Sequence, residues 1–297
     1  MKLEKQAKKI NSSIILEEIE SIKKFILFSR NNYNIYLVTS KHIPNILQEI
    51  GRLREKTFRE VGEGTGKPID LDEYDFHYHQ LFIWDFKNNK IVGGYRLGLG
   101  DKIFKEIGAN GFYINSLFFV KEEFHPIMKK SVELGRSFVR KEYQKERLPL
   151  FLLWKGIFEF LKTNSQYKYV YGPLSVSKFY SNISRTLIIR FVKLFLFDKK
   201  MAKMLRAKTP FEKTSLSKDV IDFLKETKGK LNELDDFIQT INPIRIKLPV
   251  LMRQYLKQNA KFIGFNLDPN FSDALDGFMI LDISHLPEKT IELLSTD

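Results

Sequence analysis

Residues 79–100 read HQLFIWDFKNNKIVGGYRLGLG, and this stretch decides the kind of fold that the chain can adopt. Two segments rich in β-branched and aromatic residues flank the polar tetrapeptide Lys87–Lys90, which is the pattern of a β-hairpin. The second segment carries Arg96 shortly after a pair of glycines. A charge inside an apolar strand needs a partner, because burying it alone is costly. The hairpin therefore predicts a sheet that carries charged groups within it.

The segments around the hairpin predict an alternation of strands and helices. Upstream, 32–40 is typical of a strand and 44–59 of an amphipathic helix, and a polar loop follows at 62–75. Downstream, the patterns predict strands at 111–120, 167–177, 261–271 and 276–284, and helices at 127–142, 148–164 and 178–205. This order fits an α/β (α+β) sandwich in which helices flank one mixed central sheet.

Composition excludes several classes of protein. The 297 residues contain no cysteine, which excludes zinc fingers, disulfide scaffolds and thiol nucleophiles. The sequence contains no run of about 18 apolar residues, so no transmembrane helix is expected. The N-terminal residues lack the pattern of a secretory signal.

The net charge of +13 is concentrated in one region. Between Lys178 and Lys213, ten basic residues against the two acids Asp198 and Glu212 give a net charge of +8. The apolar stretch TLIIRFVKLFLF (186–197) lies within this region. A basic, apolar helix indicates a membrane surface or an acidic protein partner, and a buried helix with a solvated basic rim fits equally well. No nucleic-acid-binding module is recognisable, so nucleic acid is not expected as a partner.

The stretch DLDEYD (70–75) places three aspartates close together in a basic chain. It is not an EF-hand loop, because Tyr74, Asp75 and Leu81 occupy positions that require an oxygen ligand, glycine and glutamate. Two interpretations remain open: a polar turn before a strand, or an acidic wall that binds a cation or an amine.

Other charged residues stand near the predicted element edges. Arg54 and Phe58 lie one helical turn apart, and Glu133 and Arg136, in VELGRSF, are predicted to share a helical face. The stretch GTGKP (64–68) lacks the first glycine and the final Ser or Thr of a phosphate-binding loop. For Arg54, Glu133 and Arg136, a structural network of ion pairs is the alternative to a substrate site.

Five motifs in order carry a resemblance to a known family. They are Arg54-x3-Phe58, Asp70-x-Asp72-x2-Asp75, VGGYRL (92–97), ELGRSF (133–138) and YGPLSVSKFYS (171–181), and FIGFNLDPNFSDALDGFMILDI (262–283) adds to them. The pattern resembles the acyl-homoserine-lactone synthases. It is more similar to their relatives, the GNAT-like N-acyltransferases of ornithine-lipid and glycine-lipid synthesis, often labelled hemolysin-like. The resemblance covers about residues 33–285.

Two departures separate the chain from the autoinducer synthases. Asp70 stands where those enzymes usually have Glu, and Val61 with Gly-rich sequence follows where they have an aromatic residue. The Gly-rich pyrophosphate loop of coenzyme-A-using GNAT enzymes is also absent. The resemblance therefore implies a donor carried by acyl carrier protein.

The resemblance implies a GNAT-like three-layer sandwich over 31–285, with a helical or irregular insertion at about 206–260. A helical extension (1–30) precedes it and a tail (286–297) follows. The implied activity transfers a fatty acyl group, typically 3-hydroxyacyl, from acyl carrier protein to the α-amine of glycine or ornithine in bacterial aminolipid synthesis. No cofactor or metal is implied beyond the 4'-phosphopantetheine of the donor.

The resemblance also implies roles for individual residues. Glu133 would be the general base, oriented by Arg136. Substrate binding would fall to Arg54, Phe58, Asp70, Asp72, Asp75 and Arg96. Contact with the carrier protein or with an anionic membrane would fall to Lys193, Lys199, Lys200 and Lys203.

The expected location is cytoplasmic, peripheral on the inner face of the cytoplasmic membrane, with an O-acyltransferase as a further partner. Three alternatives stay open. They are a lysophospholipid or glycerolipid O-acyltransferase, which the missing HxxxxD pairing disfavours, an autoinducer-type acyl-amino-acid synthase, and a degenerate, non-catalytic module that binds membrane or carrier protein.

Overall fold

The predicted hairpin forms and lies inside an eight-stranded sheet in the computed structural model, which describes residues 3–295. The strands are β1 Ile26–Arg30, β2 Tyr33–Thr39, β3 His79–Asp85, β4 Lys90–Leu99, β5 Phe118–Val120, β6 Ser131–Val139, β7 Tyr169–Val176, β8 Leu205–Ala207, β9 Lys261–Asp268 and β10 Ala274–Asp282. The large sheet has the order β1-β2-β3-β4-β6-β7-β10-β9, and β5 pairs separately with β8. Only the β6–β7 pairing among these strands is parallel.

Helices cover both faces of this sheet. They are α1 Ser12–Ser21, α2 Pro44–Glu60, α3 Gly100–Glu106, α4 Ile114–Leu117, α5 His125–Lys129, α6 Leu148–Thr163, α7 Asn182–Phe195, α8 Lys199–Ala202, α9 Lys218–Glu226, α10 Leu231–Ile241, α11 Val250–Lys257 and α12 Glu288–Ser295. The expected sandwich, a mixed sheet between layers of helices, is confirmed. None of the helices in the described part of the chain is long and apolar enough to cross a membrane.

Alternation along the strands separates two hydrophobic cores. Ile35 and Leu81 belong to the core beneath α6, whereas their neighbours Tyr36 and Phe82 belong to the core beneath α1 and α2. This is the two-residue period of a strand that is buried on both faces. Helix α6 approaches the sheet closely at Gly156, where a Cβ atom would lie 2.9 Å from Leu81 Cδ1.

Two predicted elements were wrong. Residues 127–142 were expected to be a helix, but α5 ends at Lys129 and Ser131–Val139 form β6, inserted between β4 and β7. Residues 111–120 were expected to be a strand, but they form α4 and the short β5. Burial overrides local propensity in both cases: β6 is buried in the sheet, and Ile114, Leu117 and Phe118 are buried in a third core.

The segments outside the hairpin region also join the fold. Edge strand β1 and helix α1 lie within residues 3–30. Residues 206–260 contain α9, α10 and α11. Leu224, Ile238 and Tyr255 from these helices are buried in the core beneath α6, which we call the main core.

Strand β6 has two features that shape the site. Arg96 pairs with Gly135 and Gly94 with Phe138, so Arg136 and Ser137 together oppose one residue of β4. This is a β-bulge, and Arg136 has a left-handed φ of 52°. On its other side, β6 pairs with β7 only from Ser131 to Glu133. The pairing of the two parallel strands therefore ends just before the bulge.

Candidate active site

Two buried arginines bind the DLDEYD loop (70–75). Arg54 on α2 is 1% exposed and donates to Asp75 Oδ1 and to Gln80 Oε1, both at 2.7 Å. Arg96 on β4 donates to Asp72 and, at 3.1 Å, to Asp75 Oδ2. Burial opposes ionisation of Asp75, but Arg54 and Arg96 outweigh it and hold the pKa of this carboxyl below its usual range.

The loop is locked in place by its own backbone. The Asp72 side chain accepts from the Tyr74 N–H, and Asp72 also forms a capping box with Asp75, whose side chain accepts from the Asp72 N–H. The Asp70 N–H donates to the Gly51 carbonyl of α2 at 3.0 Å. These bonds present all three carboxylates to the arginines.

Arg136 joins the same network from the bulge of β6. Its Nε lies 3.2 Å from Asp70 Oδ1, and its Nη2 lies 3.3 Å from Asp72 Oδ2. The guanidinium sits between two rings, 4.7 Å from the centroid of Tyr113 and 4.6 Å from that of Phe271. Phe271 also packs edge-on against Phe58, with centroids 5.2 Å apart. We call Arg54, Arg96, Arg136 and the DLDEYD loop the arginine network.

The structure gives Glu133 different partners from those of Arg136. Glu133 is 1% exposed, its Oε2 accepts from the Tyr78 hydroxyl at 2.7 Å, and its Oε1 accepts from the Ile114 N–H at 2.8 Å. Burial raises the pKa of Glu133 to about 7. The expectation that Glu133 and Arg136 share a helical face was wrong, because both residues lie on a bulged strand.

A second group of carboxylates, which the sequence analysis did not single out, surrounds Arg136. Asp268 accepts from the hydroxyl of Tyr113, the ring that stacks on Arg136, at 2.6 Å, and Asp276 accepts from the Ser175 hydroxyl, also at 2.6 Å. Burial, reinforced by the nearby charge of Asp268, raises the pKa of Asp276 to about 8. Burial also raises the pKa of Glu63, to about 7. We call Glu63, Asp268 and Asp276 the carboxylate cluster.

A sequence signal for part of this cluster existed. Asp276 stands in the apolar run ALDGFMILD of β10, as Arg96 stands in an apolar strand. Asp276 lies directly opposite Ser175 in the pairing of β10 with β7. Glu63, by contrast, lies in a loop about which local sequence says little.

The predicted contact lysines are exposed but do not form one apolar helix. Lys193 lies on α7, Lys199 and Lys200 on α8, and Lys203 just after it. Helix α7 is largely buried in the main core through residues such as Leu187, Ile188 and Phe191. The arrangement is that of a buried helix with a solvated basic rim.

The fold and the comparisons define a class of protein, the GNAT-like acyltransferases. Residues 53–154 match the family described as Acetyltransferase (GNAT) domain, and this segment contains the DLDEYD loop, Arg96, Glu133 and Arg136. The chain is an acyltransferase with a large, mostly antiparallel central sheet flanked by helices.

Two full-length relatives narrow the class. A glycine N(alpha)-acyltransferase of Phocaeicola vulgatus is 30% identical over 94% of this chain and 89% of its own. A protein of the same name from Bacteroides thetaiotaomicron is 29% identical over 99% of this chain and 90% of its own. The chain belongs to the family of these two proteins.

Solved structures with similarity include two CoA-dependent acyl-homoserine lactone synthases. One, solved with SAM and isopentyl-CoA, is 13% identical, with a TM-score of 0.42 over 86% of this chain and 83% of its own. The other is also 13% identical, with a TM-score of 0.40 over 88% of this chain and 92% of its own.

Proposed function

We propose that this enzyme transfers a fatty acyl group from acyl carrier protein to the α-amine of glycine. The observation that carries the proposal is the group of carboxylates with raised pKa values, Glu63 and Asp276 beside Arg136 and Glu133 on the same strand as Arg136, because an amine acceptor must lose a proton. The names of the two full-length relatives favour glycine over ornithine. The resemblance noted in the sequence favours a 3-hydroxyacyl chain and aminolipid synthesis.

The chemistry requires the ammonium nitrogen to lose two protons, one to a base before attack and one to the leaving thiolate, and one exchange of bonds. The deprotonated amine attacks the thioester carbonyl carbon, a C–N bond forms, and the C–S bond breaks. The thiol of the carrier leaves with a proton. A carboxylate whose pKa lies near the working pH is an efficient acceptor for the proton of the ammonium group.

Glu133 remains our proposed base, and Asp276 is the second candidate. Both oxygens of Glu133 accept hydrogen bonds from within the protein, so a proton would reach it by way of the Tyr78 hydroxyl. Asp276 accepts one side-chain hydrogen bond, from Ser175, and the charge of Arg136 acts on it. Variants of the two residues separate these roles.

In the arginine network, Asp72 is the most exposed carboxylate, and we propose that it borders the amine site while it is held by Arg96 and Arg136. It is 26% exposed on its side chain, whereas Asp70 and Asp75 are buried against arginines. We propose that Asp70, Asp75, Arg54 and Arg96 hold the loop, and that Phe58 supports Phe271 behind Arg136.

We propose that the acyl thioester lies where β6 and β7 cease to pair. Beyond Tyr171, β7 keeps its pairing with β10 but has no further register partner in β6. Backbone N–H groups on the free side of such a strand can donate to a thioester oxygen as negative charge develops there. The bulge at Arg136 lies three residues beyond Glu133, the last residue of β6 that pairs with β7.

The basic surface fits an acidic donor protein. We propose that Lys193, Lys199, Lys200 and Lys203 speed the encounter with acyl carrier protein or hold the enzyme at the anionic inner face of the cytoplasmic membrane. A partner O-acyltransferase would then complete the lipid. Vesicle binding should fall steeply as salt is added, and binding that is indifferent to salt would contradict the electrostatic part of this proposal.

Lipid mass spectrometry tests the function directly. A host that makes no aminolipids should accumulate N-acylglycine when it expresses this chain, and the mass would give the acyl length and hydroxylation. An expressed Glu133→Gln, Asp276→Asn double variant is the control. A new N-acylornithine would correct the acceptor, a new glycerolipid ester would favour O-acyl transfer, and no product with folded protein would favour a binding module.

A further inference from the structure

Arg185, in the first turn of α7, is a largely buried cation whose Nε atom has no hydrogen-bond partner among the described residues. Arg185 is 6% exposed. No ion pair or side-chain hydrogen bond of Arg185 is found in residues 3–295, and burial, opposed by the charge of Asp273, lowers the pKa of its guanidinium. An arginine stays charged in proteins, so leaving one unpaired in such a place is costly.

The surroundings of Arg185 connect it to the site. Asp273 belongs to the turn between β9 and β10, and Phe271 of the same turn stacks on the guanidinium of Arg136 at 4.6 Å. Ser272 lies between Phe271 and Asp273, and its hydroxyl donates to the carbonyl of Gly64 at 2.9 Å. Gly64 directly follows Glu63 in the chain. The turn therefore touches the Glu63 loop and Arg136, and the charge of its Asp273 acts on Arg185.

The start of α7 packs on the same loop. Phe179, just before the helix, lies so close to Gly62 that a Cβ there would be 2.9 Å from its ring. The Ser181 side chain caps the helix by accepting from the Ser184 N–H. The positive end of the helix dipole adds to the charge of Arg185 in this turn.

We infer that Arg185 binds the carboxylate of the amino-acid acceptor, while the carboxylate cluster receives its amine. An α-amino acid carries both charges only a few atoms apart, and the turn that holds Asp273 links Arg185 to the Glu63 loop and to Arg136. A guanidinium can bind a carboxylate through two parallel hydrogen bonds, which would satisfy the unpaired Nε. The inference rests on the proposed function and adds that the acceptor needs a free carboxylate.

The test compares glycine with glycinamide, which has the amine but no carboxylate. The purified full-length enzyme, an acyl-carrier thioester donor and each acceptor are used to measure kcat and KM separately. Arg185→Gln should lower kcat/KM for glycine by about 10- to 100-fold, the range for losing a hydrogen bond to a charged group, mostly through KM. The value for glycinamide should change little. Arg190→Gln, an exposed arginine of the same helix, is the matched control.

Each outcome decides the matter. An equal loss with both acceptors, or an unchanged preference for glycine, would assign Arg185 a structural role and overturn the inference while the proposed function stands. Arg185→Lys, which keeps the charge but loses the planar fork, should restore part of the preference even where the glutamine variant folds poorly. If the wild type acylates no amine, the proposed function fails, and equilibrium binding of glycine against glycinamide then tests Arg185. Equal binding of the two would overturn the inference too.

Discussion

The DLDEYD loop and the carboxylate cluster are both acidic and largely buried, yet the pKa of Asp75 in the loop and that of Asp276 in the cluster shift in opposite directions, while burial raises the pKa of Asp70 even beside Arg136. Three arginines bind the loop, and the pKa of Asp75 is held low. In the carboxylate cluster the pKa values of Glu63 and Asp276 are raised to about 7 and about 8. The balance of buried cations over buried acids decides whether a carboxylate stabilises the fold or holds an exchangeable proton.

The largest expected effect comes from removing a cation from the loop. Arg54→Ala leaves Asp75 and Gln80 without their buried partner, and we expect a loss of about 3–5 kcal/mol in the free energy of unfolding. Urea denaturation followed by circular dichroism measures it. Arg190→Ala should change stability by less than about 0.5 kcal/mol, since this residue is exposed. A small effect of Arg54→Ala would mean that the network is not what holds the loop.

Next in size is the effect on catalysis of neutralising a carboxylate of raised pKa. The variant of whichever residue is the base, Glu133→Gln or Asp276→Asn, should lower kcat by about 100-fold or more, because a general base contributes at least that much. Both variants should keep their fold, since each replaces a carboxyl that is partly protonated at neutral pH. Steady-state kinetics identifies the base as the residue whose variant also loses the rise of activity between pH 6 and 8. Full activity in both variants would exclude a base role for either residue.

The two acidic regions should also give opposite pH dependences of stability. The pKa of Asp75 is lowered in the fold, so its contribution is present at neutral pH and is lost as the pH falls below 4. The pKa of Asp276 is raised, so its contribution is present below its ordinary pKa and is lost as the pH rises towards 8, by up to about 1.4 kcal/mol per pH unit. Thermal unfolding from pH 2 to 9 should show the wild type losing stability below pH 4, and Asp276→Asn gaining stability relative to it on the alkaline side. A parallel shift at every pH would contradict the assignment.

The smallest expected effect concerns the exposed lysines. Replacing Lys199, Lys200 and Lys203 by Ala should change stability by less than about 0.5 kcal/mol. It should raise KM for an acyl-carrier donor by roughly 3- to 10-fold at low salt, and less at high salt, because surface charges act through screened attraction. A change that persists at high salt would point to direct packing instead.

Much of this fold could be predicted from local pattern. The hairpin 79–100, helix α2 and strands β7, β9 and β10 follow from alternation and helical period. The need of Arg96 for a charged partner follows from the cost of a buried charge, and the structure supplies Asp72 and Asp75 as those partners. The arrangement of Glu133 and Arg136 could not be predicted, because VELGRSF has helix-forming residues and its bulge depends on β4 and β7. The carboxylate cluster joins residues more than two hundred positions apart, and Arg185 gives no local signal.

The short parallel pairing of β6 with β7 divides the sheet into two antiparallel blocks. One block joins β1, β2, β3, β4 and β6 within residues 26–139. The other block joins β7, β10 and β9 within residues 169–282. The β3–β4 and β9–β10 pairings inside the blocks each join seven residue pairs, whereas three residue pairs join β6 to β7. We call this β6–β7 boundary the seam. Mechanically, the seam is the line along which the described sheet can part while each block keeps its own ladder. The enzyme thus places its proposed substrate gap where the backbone resists opening least.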